Sequence, residues 1–590
     1  MKHFPYFIKA FVLAISCLML CLLYISCATQ ATLTGGEKDV SPPKILKTLP
    51  QNYTKNFKER QLKIRFNEYI ALSSPTENII INPTTLEAPK YEIQGKSLVI
   101  SFKDDLDSNT TYSVLFLEAI KDITEANVLY TESIVFSTGA SLDSCMLHGN
   151  IRDAYTLEPS NKIAVILYET DNDSAPYTQQ PLFYTYTDKK GDFTFYNLPQ
   201  KSYKLFALED KNQNKLFDLP DEMIAFSDTL LSTFPIPKTI RDSIEVIDNE
   251  KIDSTKIQLY LFKEQDTTLK YLRRTLVKEG YYQFVFTGEV HDFLLNPVNN
   301  NYQDLYVWES NRTKDTIGVF FIQLLNEDID FVIEANGQVF DTVTLNPASK
   351  VMGFQFRKSA KDSTEEKKNT FNPQVHYAGE IQKKLTLEFA YPVKEISNNN
   401  FLLLELKKEK RKLSLKDSLG NDTIVEVDDY DTLMPNYYFL DSLHRKWIID
   451  YEWKYNKNYV FLCQDSVFYS YLETFNDTIS VDFKMKTPHD YGEIQMEYQI
   501  SHPNQYIIQL LTDKGEVVAE QIIQESDTIN YPYLQAGKYK IRVIVDVNKN
   551  SKWDTGKYSE NRQAEPIIYY SKVLEVRNKW TLQEIFLINE

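Results

Sequence analysis

The stretch "LKIRFNEYI", residues 62–70, alternates apolar and polar side chains along its first half. A pattern of period two is typical of a β-strand with one buried face, because successive side chains of a strand point to opposite sides of the sheet. Similar runs occur further along the chain, separated by clusters of Asn, Asp, Ser and Pro: "NIIINP" (78–83), "SLVISF" (97–102), "TYSVLFLEAI" (111–120) and "SIVFST" (133–138). Short strands at this spacing predict a β-sandwich over residues 43–139.

The composition indicates a multidomain, globular, all-β protein. A chain of 590 residues is too long for one core and predicts roughly three to five domains. Its 39 Tyr and 34 Phe against only 17 Gly favour half-buried strands over helices. The net charge of −17 argues against a nucleic-acid partner, because phosphate contacts require clustered Lys and Arg.

The phrases "SPPKILKTLPQN", "LKIRFNEYI", "LDSNTTYSVLF" and "IVFSTG", in this order, resemble the bacterial Ig-like domain family of S-layer and other surface proteins. Residues 376–488 contain similar stretches in the same order: "LTLEFAYPV", "KWIIDYEWKYNKNYVFL" and "ISVDFKMKT". Phe66 corresponds to Phe389, and Tyr112 is as far from Phe136 as Tyr459 is from Phe483. The resemblance implies a second Ig-like domain at 376–488.

Each Ig-like segment is succeeded by another segment with shared features, at 143–235 and 489–590. The first contains "TDKKGDFTFYNL" (187–198), which resembles the signature of transthyretin-like or carboxypeptidase-regulatory-like sandwiches. The matching residues are Thr187, Asp188, Gly191, Phe193, Phe195, Asn197 and Leu198. In the second segment Thr512, Asp513 and Gly515 echo this signature. The predicted fold class is therefore all-β, with tandem Ig-like and transthyretin-like β-sandwiches behind a lipoprotein signal peptide.

The other segments complete a predicted linear array of domains. Residues 252–356 carry further short alternating strands and predict an additional β-sandwich without a duplicated partner. Residues 357–374 are charged and poor in apolar side chains, which is typical of a linker. An insertion of alternating charge at 407–433 predicts a solvated hairpin within the second Ig-like segment.

The N-terminus predicts export and lipid attachment. Residues 1–26 read as a signal peptide with an apolar run at 10–25, and "LLYISC" (22–27) resembles the lipobox of Bacteroidetes-type lipoproteins, which implies lipidation of Cys27. Cleavage elsewhere and an uncleaved anchor remain as alternatives. Residues 27–42 form a polar tether, so the membrane is a partner through the lipid anchor. The implied location is the cell outer membrane, facing either the periplasm or the cell surface.

The two cysteines that remain in the folded part, Cys145 and Cys463, are far apart in sequence. Such a pair does not make a disulfide framework, and buried free thiols are the favoured prediction.

Two loops of Asp and Asn are candidates for structural calcium. "LEDKNQNKLFD" (208–218) and "IVDVNKNSKWD" (544–554) place oxygen-bearing side chains at every second position, as calcium loops do. The candidate ligands are Asp210, Asn212, Asn214, Asp218 and Asp221 in the first loop, and Asp546, Asn548, Asn550 and Asp554 in the second. The alternative is that these residues only stabilise turns. In either case, the repetition of this loop pattern predicts that a pair of domains was duplicated.

No catalytic motif stands out, and the seven His residues are scattered. The predicted function is a non-enzymatic cell-envelope lipoprotein that acts as a binding, structural or scaffold module. The alternatives are an envelope hydrolase and a glycan-binding protein with a site hidden in the sequence. An envelope protein and a glycan are candidate partners, and the aromatic clusters at 281–286 and 451–461 are candidate stacking platforms, although strand cores explain them better.

Overall fold

The computed structural model describes residues 39–130, 132–236, 256–265, 268–299, 304–348, 371–397, 400–416 and 422–589. These residues form five β-domains: domain 1 (39–139), domain 2 (143–236 and 256–265), domain 3 (268–348), domain 4 (371–487) and domain 5 (488–589). The predicted all-β class is confirmed. The signal peptide, Cys27, most of the tether and most of the charged linker lie outside the described residues.

Domain 1 is a sandwich around one apolar core. Its elements are β1 (Ile45–Leu49), β2 (Gln61–Phe66), β3 (Ile70–Leu72), α1 (Pro75–Asn78), β4 (Ile79–Asn82), β5 (Lys90–Gln94), β6 (Ser97–Ser101), β7 (Thr111–Phe116), β8 (Ile120–Asp122) and β9 (Glu132–Ser137). One sheet has the order β1-β2-β6-β5 and the other β4-β7-β9, with β3 paired to β8. In β2 the apolar residues Leu62, Ile64 and Phe66 are fully buried, as the alternation predicts.

Domain 2 is built on nine strands and one short helix. These are β10 (Cys145–Asp153), β11 (Ala164–Tyr168), α2 (Ala175–Thr178), β12 (Phe183–Tyr186), β13 (Asp192–Leu198), β14 (Ser202–Leu208), β15 (Met223–Phe226), β16 (Leu231–Ser232), β17 (Phe234–Pro235) and β18 (Ile257–Lys263). β18 lies in the segment that the sequence assigns to the next domain (252–356). It instead pairs with β10 in parallel and with β15, because Leu259 and Leu261 complete the domain 2 core.

Domain 3 is a sandwich of seven strands. They are β19 (Tyr271–Lys278), β20 (Tyr281–Phe286), β21 (Phe293–Pro297), β22 (Tyr306–Ser310), β23 (Thr316–Phe321), β24 (Ile329–Ala335) and β25 (Gln338–Leu345). The sheets β19-β20-β23-β22 and β21-β24-β25 enclose an aromatic-rich core.

Domain 4 has a sandwich with a projecting hairpin. Its strands are β26 (Gln374–His376), β27 (Leu385–Glu388), β28 (Val393–Ile396), β29 (Phe401–Leu406), β30 (Arg411–Lys416), β31 (Asp422–Val427), β32 (Tyr430–Leu433), β33 (Asn436–Phe439), β34 (Lys446–Asp450), β35 (Asn458–Cys463), β36 (Phe468–Ser470) and β37 (Ile479–Lys484). β30 pairs with β31, which confirms the predicted hairpin. The predicted linker 357–374 ends earlier than expected, because Phe371 is buried in the domain 4 core.

Domain 5 begins with the 3₁₀ turn Pro488–Asp490 and contains a second 3₁₀ turn, Tyr558–Glu560. Its strands are β38 (Gly492–Ile500), β39 (Gln505–Thr512), β40 (Val517–Ile523), β41 (Asp527–Leu534), β42 (Gly537–Asp546), β43 (Ile567–Tyr569), β44 (Leu574–Val576) and β45 (Thr581–Ile588). They form the sheets β41-β38-β45 and β40-β39-β42-β43, with β44 also paired to β42.

Domains 1 and 4 share one tyrosine arrangement, as the sequence comparison predicts. Tyr112 lies directly opposite Phe136, and Tyr459 lies directly opposite Phe483. In both pairs the stacked ring centroids are 5.7 Å apart. Each tyrosine hydroxyl also accepts a hydrogen bond from a backbone N–H five residues earlier, at 2.9 Å and 3.0 Å respectively. This shared contact supports a common origin of the two domains.

Domains 2 and 5 share one strand topology. The parallel pair β10 and β18 has its counterpart in β38 and β45, and the order β12-β11-β14-β15 has its counterpart in β40-β39-β42-β43. The correspondence between Gly191 and Gly515, expected from the comparison of the two segments, is wrong. Gly191 lies between β12 and β13, whereas Gly515 lies between β39 and β40, so the two turns are not equivalent. Each turn merely needs a glycine, because both residues have positive φ, 78° and 86°.

The domains do not form the predicted linear array. Domain 5 folds back onto domain 2, and the clusters of buried apolar side chains there contain residues of both domains. The alternation of apolar and polar residues along a strand indicates that one face of the sheet is buried, but it does not indicate which domain covers that face. The sequence pattern therefore carried no signal for this contact.

Candidate functional site at the junction of domains 2 and 5

The first Asp/Asn loop connects β14 to β15 and is organised around Asp210. The Asp210 carboxylate accepts hydrogen bonds from the backbone N–H groups of Asn214 (3.1 Å) and Lys215 (2.8 Å). The side-chain amides of Asn212 and Asn214 both donate to the Asp218 carboxylate, at 3.0 Å and 2.8 Å. The structure thus brings together four of the predicted ligand residues.

The second loop connects β42 to β43 and repeats this geometry. Asp546 is fully buried and accepts from the backbone N–H groups of Asn550 (3.1 Å) and Ser551 (2.8 Å). The side-chain amides of Asn548 and Asn550 donate to the Asp554 carboxylate. Two loops with the same hydrogen bonds at equivalent places in one topology are best explained by duplication.

Asp221 does not join the first loop. Its carboxylate pairs with the Lys211 ammonium at 2.8 Å, on the outside of the loop. The neighbouring Glu222 points inward instead and accepts from the backbone N–H groups of Lys211 and Asp218, at 3.1 Å and 3.2 Å. Counting twelve positions from Asp210 therefore selected a carboxylate outside the hydrogen-bond network of the loop, and its role as a calcium ligand stays a prediction.

Glu565 has the same role in the second loop. Its carboxylate accepts from the N–H groups of Val547 (2.9 Å) and Asp554 (3.0 Å), and burial raises its pKa. Sequence reasoning missed both Glu222 and Glu565. The available signal was a glutamate just before the strand that succeeds each loop.

The calcium hypothesis stays a prediction. Within the described ranges, no group of three or more His, Cys, Asp or Glu side chains is arranged to hold a metal ion. In both loops the carboxylates accept hydrogen bonds from backbone and amide N–H groups, which is the arrangement that stabilises turns.

The two loops differ in the length of their connection to the next strand. In domain 2, residues 219–222 connect Asp218 to β15, whereas in domain 5 the longer segment 555–566 connects Asp554 to β43. We call residues 555–564 the strap, because they extend from domain 5 across the outer face of the domain 2 sheet. Glu565 fixes the end of the strap, since its backbone carbonyl accepts the Trp553 indole N–H at 2.9 Å.

Tyr558 anchors the strap in an aromatic pocket of domain 2. Its side chain is 3% exposed, and its ring centroid lies 5.3 Å from that of Phe206 and 5.0 Å from that of Phe226. The Tyr558 hydroxyl donates to the backbone carbonyl of Asp173 at 2.8 Å. Burial also raises the pKa of this phenol, so the hydroxyl stays a donor at neutral pH.

Further hydrogen bonds hold the strap along its length. The Thr555 hydroxyl donates to the carbonyl of Lys263 at 2.6 Å, and the Tyr558 N–H donates to the Glu264 carboxylate at 2.5 Å. At the other end the Gln563 amide donates to the Asp228 carboxylate at 2.7 Å. The strap is thereby fixed to domain 2 at both ends and in the middle.

Domain 2 covers domain 5 in return. Tyr155 and Leu157, between β10 and β11, pack against the outer face of the domain 5 sheet. The Tyr155 ring contacts Trp553 at 4.8 Å between centroids and carries the Arg542 guanidinium 4.3 Å above it. Each domain thus covers a face of the other, and we call this reciprocal contact the clasp.

The other candidate residues have structural roles. Most rings of the aromatic clusters at 281–286 and 451–461 pack in domain cores, where Phe284, Tyr459 and Phe461 are fully buried, whereas Tyr455 is exposed. Cys145 and Cys463 are buried free thiols, as predicted, and burial raises the pKa of Cys463 to about 12. Among the residues that the structure describes, no helix is long and apolar enough to cross a membrane.

Comparison with known proteins identifies the class of the first domain. Residues 39–138 match the family model of the bacterial Ig-like domain, so domain 1 is a bacterial Ig-like domain. The comparison with curated proteins finds no match.

Several solved structures overlap with the chain at low similarity. The N-terminal part of the bacterial S-layer protein SbsC is 14% identical, with 33% of this chain covered, 44% of that chain spanned and a TM-score of 0.13. A longer piece of SbsC is 10% identical, over 88% of this chain and 67% of that one, with a TM-score of 0.13. The major pilin subunit BcpA of Bacillus cereus is 8% identical, over 75% and 98%, with a TM-score of 0.14. Overlaps this weak carry no argument about function.

Proposed function

We propose that this protein is a non-enzymatic lipoprotein of the cell envelope, anchored in the outer membrane through Cys27, whose five domains form a scaffold for an envelope partner. The clasp is the observation that carries the proposal. A strap that crosses from domain 5 to domain 2 fixes the second and the fifth domain against each other, although more than 200 residues separate them in the chain. A scaffold requires this fixed geometry, because partner surfaces on different domains must keep their relative positions.

Further junctions support a rigid body. Between domains 1 and 2, the Asn82 side chain both donates to and accepts from the backbone of Tyr184, at 2.8 Å and 3.0 Å. Between domains 4 and 5, the Glu380 carboxylate of domain 4 accepts from the Tyr491 hydroxyl of domain 5 at 2.5 Å, and the Lys486 ammonium of domain 4 donates to the same carboxylate. Each junction removes relative motion that independent domains would otherwise have.

The lipid anchor is tested with Cys27→Ala in the native host. Metabolic labelling with a fatty acid should mark the parent protein and not the variant, and the variant should leave the membrane fraction. A variant that stays labelled and membrane-bound contradicts the assignment of Cys27.

The scaffold role is tested by crosslinking and co-purification from native membranes. The parent should retain a reproducible set of envelope proteins, and Tyr558→Ala, which opens the clasp, should lose part of that set. Tyr455→Ala is a suitable control, because Tyr455 is exposed in domain 4 and belongs to neither side of the clasp. The absence of any reproducible partner of the parent contradicts the proposal.

A further inference from the structure

Trp580 is the most exposed of the five tryptophans. It is 65% exposed, whereas Trp447 is buried and Trp308, Trp453 and Trp553 are half-buried. An indole that faces water forgoes the large stabilisation of burying an aromatic side chain, so an exposed one is more informative than a buried one. Trp580 lies in the turn that precedes β45.

Trp580 lines a groove of domain 5 that lies beside its first residues. The groove has a volume of about 390 Å³, and its lining includes Tyr491, Tyr533, His489, Glu493 and Lys579. This volume is within the range of small-ligand sites, roughly 300–1,000 Å³. The groove therefore has room for a ligand of one or two sugar rings.

The walls of the groove are fixed before any ligand binds. Gly492 has no Cβ, and a Cβ there would come within 2.4 Å of the Arg577 carbonyl oxygen, so only glycine lets the turn pack this closely. The Lys579 N–H donates to the Tyr491 carbonyl at 2.7 Å. The Tyr491 hydroxyl donates to Glu380, which ties the groove to domain 4.

Two residues of the groove have strained backbones. Tyr533 and Lys579 are left-handed, with φ of 55° and 67°, a conformation that costs a non-glycine residue about 1 kcal/mol or more. Tyr533 lies in a β-bulge, because the pairing of β38 with β41 shifts register between Gly492 and Ile494. Bulges of this kind redirect side chains and are common beside binding sites.

The chemistry of the groove suits a sugar better than an apolar peptide side chain. Tyr533 and the Trp580 ring, whose centroid lies 5.8 Å from the Arg577 guanidinium, offer flat apolar surfaces, while Lys579, Glu493 and His489 offer polar groups around them. A pyranose ring presents C–H groups on its face and hydroxyls around its edge, which matches this combination. An apolar peptide side chain would gain no hydrogen bonds from these polar groups, whereas sugar hydroxyls can donate to and accept from them.

We propose that the groove lined by Trp580, Tyr533 and Lys579 binds a saccharide, with a sugar ring stacked on the Trp580 indole. This site goes beyond the proposed scaffold role and does not depend on it. It also differs from the aromatic clusters at 281–286 and 451–461, most of whose rings are occupied by core packing, with Tyr455 exposed.

The test titrates the purified protein with two probes, a tetramer of β-1,4-linked N-acetylglucosamine and a tetramer of galacturonic acid, by calorimetry and tryptophan fluorescence. At least one probe should bind saturably and change the fluorescence. Trp580→Ala should weaken that binding at least about tenfold, equivalent to ~1.4 kcal/mol, with an unchanged circular dichroism spectrum. Tyr69→Ala, which removes an exposed aromatic of domain 1 outside the groove, should bind as the parent does.

Three results would overturn the proposal. They are no saturable binding of either tetramer, binding that survives Trp580→Ala, and Trp580-dependent binding of decaproline without binding of either sugar. The last result would identify the groove as a peptide site instead. None of these results affects the scaffold proposal, whose tests measure lipidation and partner retention.

Discussion

At the scale of single residues, Tyr558 and Gly556 carry the clasp. Tyr558 fills the aromatic pocket of domain 2, and Gly556 lets the strap backbone pass over the Phe262 ring. A Cβ on Gly556 would come within 2.4 Å of that ring, which is itself buried and has no space to move. The clasp therefore depends both on the large side chain of Tyr558 and on the absence of a side chain at Gly556.

Substitution of Tyr558 should open the clasp in proportion to the part of the side chain that is removed. Tyr558→Phe keeps the ring and loses only the hydrogen bond to Asp173, at a cost of about 1 kcal/mol. Tyr558→Ala leaves a cavity and should cost about 3–5 kcal/mol. Limited trypsin digestion measures the result, since Lys557 and Arg562 lie within the strap. Equal cleavage of Tyr558→Ala and the parent would contradict this assignment.

Gly556→Ala should weaken the clasp by overpacking, at about 1–3 kcal/mol. Gly537→Ala is the matched control, because the nearest atom to a Cβ there is 3.9 Å away and the change should stay within about 0.5 kcal/mol. Trypsin should therefore cut the strap faster in Gly556→Ala and at the parent rate in Gly537→Ala. Similar rates for the two variants would show that the contact with Phe262 is unimportant.

At the scale of elements, the duplicated loops and the strap form one unit in domain 5. Glu565 binds the N–H groups at both ends of the second loop, and the strap runs between Asp554 and Glu565. The first loop lacks a strap but keeps the same hydrogen bonds. The copies therefore differ in the length of this connection, and a loop tolerates such a difference at low cost in free energy.

The calcium hypothesis predicts that a chelator lowers the melting temperature of the parent. Asp218→Asn combined with Asp554→Asn should remove this response, because each substitution takes one negative charge from a loop. These positions are better choices than Asp210 and Asp546, whose carboxylates bind backbone N–H groups and stabilise the loops without any metal. If the melting temperature of the parent does not change with chelator, the calcium hypothesis is contradicted and only the turn interpretation remains.

At the scale of the whole molecule, the junction between domains 3 and 4 contains a titratable group. The Lys278 ammonium donates to the Ala390 carbonyl at 2.7 Å and lies 4.2 Å from the Tyr391 ring centroid. Burial, assisted by the nearby Arg445 charge, lowers the pKa of Lys278 to about 8. The adjacent carboxylate of Glu309 pairs with Arg445, and burial raises its pKa.

Stability should rise with pH between about 8 and 10.5 because of Lys278. Its pKa is lower in the folded protein than the 10.5 of the free side chain, so the unfolded chain binds more protons above pH 8 and stability increases there. Lys278→Met should reduce this slope, measured as the melting temperature against pH. An identical slope in parent and variant would contradict a buried Lys278.

The closed arrangement should also appear in solution. X-ray scattering should give a compact particle for the parent and a larger radius of gyration for Tyr558→Ala, because the variant frees domain 5 from domain 2. An extended parent, with no change on substitution, would contradict the clasp.

The sequence by itself determined the all-β class, the repeated domain pair and the position of most loop residues. Period-two alternation and the tyrosine spacing are local or repeated signals, and they led to β2, to Tyr112 and to Tyr459. Only the tertiary structure placed β18 in domain 2, selected Glu222 over Asp221, and put Tyr558 into the aromatic pocket. The physical reason is that strand pairing and domain contacts join residues far apart in the chain. Alternation shows that a face is buried, and only the folded chain decides what buries it.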